Sequence, residues 1–234
     1  MTSGLNACGF DRNNWVQGGK QGIFEEDNFT SPAYTFRVDY NGVPGLRLGT
    51  SFYYCANTTA NSDKLTEYNF RAPIRIYTAD AQYKNNIVAA RANFMWGNLT
   101  NADKVSAVNT KLSNNSPYTR VVPVAKKAVS YGAEVGLNLA GIFAGTRCPV
   151  LYPFTRFDYY NTQKECAGLY VADKRNEVRK WTAGINWFAL PNLVVKADYA
   201  TRQIGTSKIF GKGKYNSENE FSIGVAYVGW FTKR

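Results

Sequence analysis

The chain has 234 residues, enough for one large β domain or two small ones, and a formal net charge of +11. It contains no histidine, which excludes Ser-His-Asp and Cys-His catalysis and every histidine metal ligand. Its basic residues are dispersed in runs no longer than Lys126-Lys127, which argues against nucleic-acid binding. Aromatic residues make up 15% and charged residues 19% of the chain, a balance that favours a β protein.

The amino-terminal region gives the weakest structural signal. Residues 1–13 are polar and are predicted to be irregular, and the Gly-rich residues 14–24 predict a weak first strand. We therefore place a β-barrel domain at 14–234. Met1 to Asn6 do not have the pattern of a signal peptide. We expect the chain to be a mature form, a recombinant form or the carboxyl-terminal part of a longer protein.

The rest of the chain predicts nine further strands, because apolar and polar residues alternate between turn-rich segments. Asn41 to Gly45 reads as a tight turn, and Leu190 to Asn192 as another. Pro153 lies within one of these strands and would interrupt a paired ladder unless it sits at a bulge. The strands are predicted at about 33–41, 46–56, 69–83, 87–97, 128–141 and 148–161, and three more between Trp181 and Phe231.

The lengths of the strands and loops indicate the fold class. The strands run to about ten residues or more, aromatic residues lie near their ends, and short turns alternate with long loops. No apolar run reaches the roughly 18 residues of a transmembrane helix. The sequence therefore predicts an all-β, antiparallel up-and-down transmembrane β-barrel of about ten strands, with short periplasmic turns and long extracellular loops.

The alternation also predicts which charged residues face the interior of the barrel. Arg or Lys at the midplane of a membrane costs about 2–4 kcal/mol on the lipid side, so the charges must face the lumen. This interior is either filled and salt-bridged or, in a larger barrel, the wall of an aqueous channel. The predicted lumen-lining residues are Arg37, Arg47, Asp80, Arg91, Glu134, Arg156, Asp158, Lys180, Lys196, Asp198, Arg202 and Glu220, with Asp39 on the same face.

The longest predicted loop, residues 98–126, contains a helix signal. Thr100 to Asp103 form a capping-box pattern, and Val105, Val108 and Leu112 follow at helical spacing. The helix either packs over the rim of the barrel or folds into the lumen as a constriction.

The four cysteines, Cys8, Cys55, Cys148 and Cys166, include no CxxC pair, so the sequence gives little support for a zinc or redox site. In the predicted topology Cys55–Cys166 and Cys8–Cys148 can pair, and four free thiols is the equal alternative. No catalytic, cofactor-binding or metal site is predicted.

Several of these segments resemble porins of Bacteroidetes-type bacteria that are related to the phosphate-selective porin O/P family. The resemblance covers roughly residues 30–231. It implies an outer-membrane porin, and since family members are usually longer, the carboxyl-terminal part of such a barrel or a short variant. The chain has no arginine and lysine cluster within one loop, so phosphate selectivity is not implied. The segments are Val150 to Asp158, Trp181 to Tyr199, Ser130 to Asn138 and Asn219 to Tyr227.

The expected function follows from the predicted barrel and the resemblance. We expect a porin-like channel in the cell outer membrane for passive diffusion of small hydrophilic solutes, with a preference for anions. Its expected partners are outer-membrane lipid, these solutes and either further copies or a larger outer-membrane complex. The alternatives are a non-conducting structural or accessory barrel subunit, an outer-membrane enzyme without histidine, and a soluble lipocalin-like binder.

Overall fold

The computed structural model describes residues 1–21, 29–62, 68–111, 122–143, 150–206 and 215–227. Nine antiparallel strands form one sheet in which the spatial order follows the order along the chain. This confirms the predicted all-β, up-and-down architecture. The strands are β1 (Ala33–Val43), β2 (Leu46–Cys55), β3 (Ile74–Lys84), β4 (Val88–Leu99), β5 (Lys127–Leu137), β6 (Val150–Glu165), β7 (Glu177–Leu190), β8 (Leu193–Gly205) and β9 (Tyr215–Tyr227).

Connections at the two ends of the sheet differ in length as the sequence predicts, except that twelve residues separate β5 from β6, where a short turn was expected. Two to three residues join β1 to β2, β3 to β4 and β7 to β8. At the first of these turns Gly45 has φ of +78°, a conformation that favours glycine, and its carbonyl accepts a hydrogen bond from the Lys84 amide at 2.8 Å. The opposite end, from which the chain leaves β2, β4, β6 and β8, is called the long-loop end below.

Short helices lie in the connections. The helix predicted after Thr100 is present as α1 (Ala102–Lys111), and α2 (Leu139–Ile142) follows β5. Because α2 begins there, β5 ends earlier than the predicted residue 141. The 3₁₀ helices are Ala7–Gly9, Gln17–Gly19, Thr58–Asn61 and Lys174–Asn176. None of the helices in the described part of the chain is long and apolar enough to cross a membrane.

The predicted first strand is wrong over residues 14–21, and its remaining residues lie outside those described. Trp15 has φ of 54°, and Gln17–Gly19 is a 3₁₀ helix. The amide of Asn6 donates to the carbonyl of Gly19, 2.8 Å away, so the segment folds back on itself instead of extending. Residues 1–21 are called the N-terminal segment below.

The buried core lies at the long-loop end. Four residues in one row of the sheet are completely buried there, where β1 and β3 begin and β2 and β4 end: Ala33, Cys55, Ile74 and Leu99. Above them pack Ala7 and Phe10 of the N-terminal segment and Val105 of α1, all with no exposed surface. The N-terminal segment, α1 and the 3₁₀ helix Thr58–Asn61 together are called the cap.

Polar side chains tie the cap together. The Asn109 side-chain amide donates to the carbonyls of Ala7 and Phe10, at 3.1 and 3.0 Å. The Trp15 indole donates to the carbonyl of Ala125 at 3.0 Å, and Asn61 donates to the carbonyl of Leu5 at 3.2 Å. Buried backbone carbonyls need such donors, so these contacts fix where the N-terminal segment lies.

The predicted cysteine pair Cys55–Cys166 is not formed. Cys8, Cys55 and Cys166 are free thiols, and Cys148 lies outside the described residues. The Cys55 thiol is buried and lies 3.5 Å from the carbonyl oxygen of Ser31. Burial raises the pKa of the Cys166 thiol, which disfavours the reactive thiolate.

Pro153 is accommodated without a bulge at its own position. It aligns with Ile185 of β7, and the pairing of β6 with β5 already stops at Phe154, opposite Gly136. Beyond Phe154 the β5 side of the strand has no ladder bond for the proline to remove.

Candidate functional site

The candidate site is one face of the sheet, called the charged face. Side chains alternate between faces along a strand, and cross-strand partners share a face. The register therefore places all twelve predicted lumen-lining residues on the same face, joined by Asp39 and Glu218. They are Arg37, Arg47, Asp80, Arg91, Glu134, Arg156, Asp158, Lys180, Lys196, Asp198, Arg202 and Glu220.

A first group of ion pairs spans β1 to β3. The Arg37 guanidinium lies 2.7 Å from a carboxylate oxygen of Asp39 and 2.9 Å from one of Asp80. Arg47 approaches Asp39 at 3.5 Å. Gly49 lies between these side chains, and a Cβ at that position would collide with the Arg37 guanidinium. Because Gly49 has no side chain, space remains for these charged groups to contact one another.

A second group spans β4 to β6. Glu134 accepts a hydrogen bond from Arg91 at 2.8 Å and has Arg156 on its other side at 4.0 Å. Arg156 also pairs with Asp158, with a nitrogen–oxygen distance of 2.6 Å. Gly132 again leaves space, because a Cβ there would lie 2.8 Å from a carboxylate oxygen of Asp158.

The third group, on β7 to β9, is looser. Lys180 pairs with Glu220 at 3.2 Å, and Arg202 with Glu218 at 3.5 Å. Arg202 also donates to the Tyr160 hydroxyl at 3.3 Å. Lys196 and Asp198, in contrast, line a groove of about 370 Å³ that also contains Arg91, Arg156 and Lys180.

The charges on this face nearly balance. With Asp39, Glu218 and Lys84 at the end of β3 added to the twelve predicted residues, these side chains are eight cations and seven carboxylates. Most of the +11 net charge of the chain is therefore carried elsewhere. A passage along this face would have a mixed lining, which favours hydrated solutes of either sign over a strong selection for anions.

The opposite face, called the aromatic face, is apolar and largely uncovered. Phe36, Val38 and Val225 remain 65 to 68% exposed, and Ile223 is 70% exposed. Rings of neighbouring strands contact one another across this face, as in Phe52–Tyr77 and Phe157–Trp181, with centroids 4.7 and 4.6 Å apart. A soluble sheet would bury this face and expose the other.

The cap covers the charged face at the long-loop end, a feature that the sequence does not predict for residues 1–21. A Cβ on Gly97, on the charged-face side of β4, would collide with the Trp15 ring. Trp15 and Val16 also line a cavity with Ile76, Met95 and Tyr160. Of the two predicted positions of α1, packing over the rim agrees with its buried contacts to the N-terminal segment.

An ion pair outside the strands joins the cap to the loop after β6. Arg12 of the N-terminal segment lies 3.6 Å from Asp173, which also accepts hydrogen bonds from the Arg175 side chain and amide. The Arg175 side chain is the main cause that lowers the pKa of Asp173 below its ordinary value. Asp173 is thus ionised at neutral pH and available to hold Arg12.

Comparison with protein families and with curated proteins identifies no relative. No protein-family model matches the chain, and no curated protein matches it. Within the described ranges, no group of three or more Cys, Asp or Glu side chains is placed to hold a metal ion. The features that bear on function are therefore the two faces of the sheet and the cap.

Proposed function

We propose that this chain forms the wall of an outer-membrane β-barrel whose charged face lines a passage for small hydrophilic solutes, as in a passive porin. The observation that carries the proposal is the division of side chains between the faces. The charged residues named above lie on the face opposite to the exposed Phe36, Ile223 and Val225.

The two faces have opposite preferences for solvent. Burial of apolar surface contributes roughly 25 cal/mol per Å², so an uncovered aromatic face is unfavourable in water and favourable against lipid chains. A charged side chain has the reverse preference. Lipid on the aromatic face and water on the charged face satisfy both, whereas a soluble lipocalin-like binder would expose the aromatic face to water.

The backbone supports the same environment. Each strand pair is joined along nearly its whole length by an antiparallel ladder, with local irregularities at Tyr40/Val43, Lys127/Val129 and Phe188/Leu190. A bilayer offers no water to hydrogen-bond a free amide or carbonyl, so only such continuous pairing is tolerated within it.

Single-channel recording in a planar bilayer tests this function. Steady current steps are expected, with a reversal potential close to zero under a salt gradient because the lining charges nearly balance. Lys196→Glu on the charged face should shift the reversal potential towards cations. Tyr199→Phe on the aromatic face is the matched control and should leave it unchanged. Stable insertion without current steps would contradict the channel.

The cap favours a second function, a non-conducting barrel that serves as a structural or accessory subunit. Trp15 and α1 cover the charged face at the long-loop end, and the Arg37 and Glu134 ion pairs fill space on the face below. A filled interior of this kind stabilises a wall without leaving a path. Insertion with no current in the same recordings is the result expected for this function.

A further inference from the structure

The direction of the strands limits how the sheet can be completed. Neighbours alternate in direction from β1 to β9, so β1 and β9 run the same way. Within the described residues β9 pairs only with β8, and β1 pairs with β2 and, at its first residue alone, with Thr2 through an antiparallel bridge to Ala33. Beyond that bridge each of these two strands, 11 and 13 residues long, has one edge without a paired neighbour in the sheet. Direct closure of β1 on β9 would need a parallel ladder, unlike every other pair of this sheet.

A second copy of the chain does not provide an antiparallel neighbour for either edge. Copies that cross a membrane in the same direction present β1 and β9 in the same direction too. Any edge-to-edge pairing between them would again be parallel. An antiparallel neighbour for both edges requires an odd number of additional strands between β9 and β1.

The charges on β9 indicate which side chains would suit a strand paired with its free edge. Glu134, inside the sheet, has a cation on both sides and its side chain is 25% exposed. Glu218 and Glu220 have cations only on the β8 and β7 side, and their side chains are 60 and 63% exposed. The open edge thus presents two carboxylates that lack the second cation seen in the interior of the sheet.

β1 cannot supply those cations. Its one cation on the charged face, Arg37, already contacts two carboxylates, and its other charged residue there is Asp39. Direct contact would bring Asp39, together with the already paired Arg37, to the edge that carries Glu218 and Glu220, and like charges opposite each other on a sheet destabilise it.

We propose that the free edge of β9 binds a β-strand from outside these nine, antiparallel to β9, as the first of an odd number of strands that lead to β1. This strand carries Lys or Arg opposite Glu218 and Glu220, and apolar residues opposite Phe221, Ile223 and Val225. The inference rests on the proposed barrel and adds the chemistry of the segment that completes its wall.

Photo-cross-linking from the β9 edge tests the proposal. A benzophenone amino acid replaces Phe221, an exposed aromatic residue, in the full chain within the membranes of cells that produce it. The cross-linked peptide is then sequenced by mass spectrometry. The expected product is a peptide from outside β1–β9 with alternating apolar residues and Lys or Arg at the facing positions.

Charge variants show whether the carboxylates select this strand. Glu218→Lys with Glu220→Lys should lower the yield of that product roughly tenfold, because two attractive pairs become repulsive. Glu218→Asp with Glu220→Asp keeps both charges and should keep the yield. Equal yields from the two double variants would overturn the assigned chemistry.

Three other products would overturn the proposal. A cross-link to β1 of the same chain means direct closure, a cross-link to β1 of a second copy means edge pairing of copies, and a cross-link to lipid alone means a free edge. The readout does not depend on current. Absence of conductance together with the expected cross-link would reject only the channel, and conductance with a lipid-only product would reject only the docking strand.

Discussion

The long-loop end and the middle of the sheet bury opposite kinds of side chain. At the long-loop end, the cap encloses Phe10, Ile74 and Leu99 as the core of a water-soluble protein would. In the strand middles the apolar residues point outwards, while Arg91, Glu134 and their neighbours face one another on the charged face. The same strands thus carry two kinds of packing, and on the proposed function water surrounds the cap and lipid surrounds the strand middles.

The largest expected effect is a loss of stability confined to the long-loop end. Phe10→Ala removes a ring that is fully buried against Gly19, and should destabilise the cap by about 3–5 kcal/mol. Hydrogen exchange measured by mass spectrometry should show faster exchange in residues 1–21 and in α1, with little change in β4 to β8. Phe29→Ala, at an exposed ring, is the control. Equal loss of protection throughout would mean that both regions unfold as one unit.

The next largest effect is expected from a substitution in the middle of a strand. Ala183→Arg places a charge on the aromatic face at the centre of β7 and should lower the free energy of unfolding from lipid vesicles by about 2–4 kcal/mol. Thr182→Glu, one residue away on the charged face and opposite Arg156, should change it by about 0.5 kcal/mol or less. Denaturant titration followed by tryptophan fluorescence measures both. Similar losses for the pair would show that the two faces share one environment.

These two regions also differ in how far the sequence predicts them. Alternation along Trp181, Ala183 and Ile185 is a local signal with period two, and it correctly assigns the faces of β7. The charged residues reach one face for the same reason, although the individual ion pairs depend on register between strands. A contact such as Arg37–Asp80 joins residues 43 positions apart.

The cap has no such local signal. Residues 14–24 are rich in glycine and read as a weak strand, but Trp15 takes a positive φ and its indole bonds to Ala125, 110 positions away. Those long-range hydrogen bonds replace the ladder that a strand would need. The helix α1 is predicted because its capping and apolar spacing are local, whereas its partners in the N-terminal segment are not.

A smaller effect is expected where the cap contacts the sheet. Gly97→Val puts a side chain where the Trp15 ring lies, and should destabilise the packing of the N-terminal segment by about 1–3 kcal/mol. Trp15 should then become accessible to acrylamide. Gly224→Val, on the charged face of β9 with nothing within 4 Å, is the matched control. Unchanged quenching would mean that Trp15 does not pack on β4.

The smallest expected effect is a pH dependence of the cap. The pKa of Asp173 is lowered in the folded protein, chiefly by Arg175, so its ionised form stabilises the fold above the unfolded pKa of about 3.9. That contribution is lost as the pH falls through the lower folded value, and an ion pair of this kind is worth about 1 kcal/mol or less. Hydrogen exchange of residues 1–21 should rise below about pH 4, and Asp173→Asn should remove most of this dependence. A wild-type dependence retained in Asp173→Asn would place its origin elsewhere.

The most direct test of the central claim is tryptophan quenching by brominated lipids in vesicles. Trp96, Trp181 and Trp187 lie on the aromatic face, and Trp15 lies in the cap. Strong quenching by bromolipid is expected, with a smaller quenched fraction in Trp181→Phe and a larger one in Trp15→Phe. Quenching by acrylamide without quenching by bromolipid would contradict a lipid environment for the aromatic face, because that face would then lie in water.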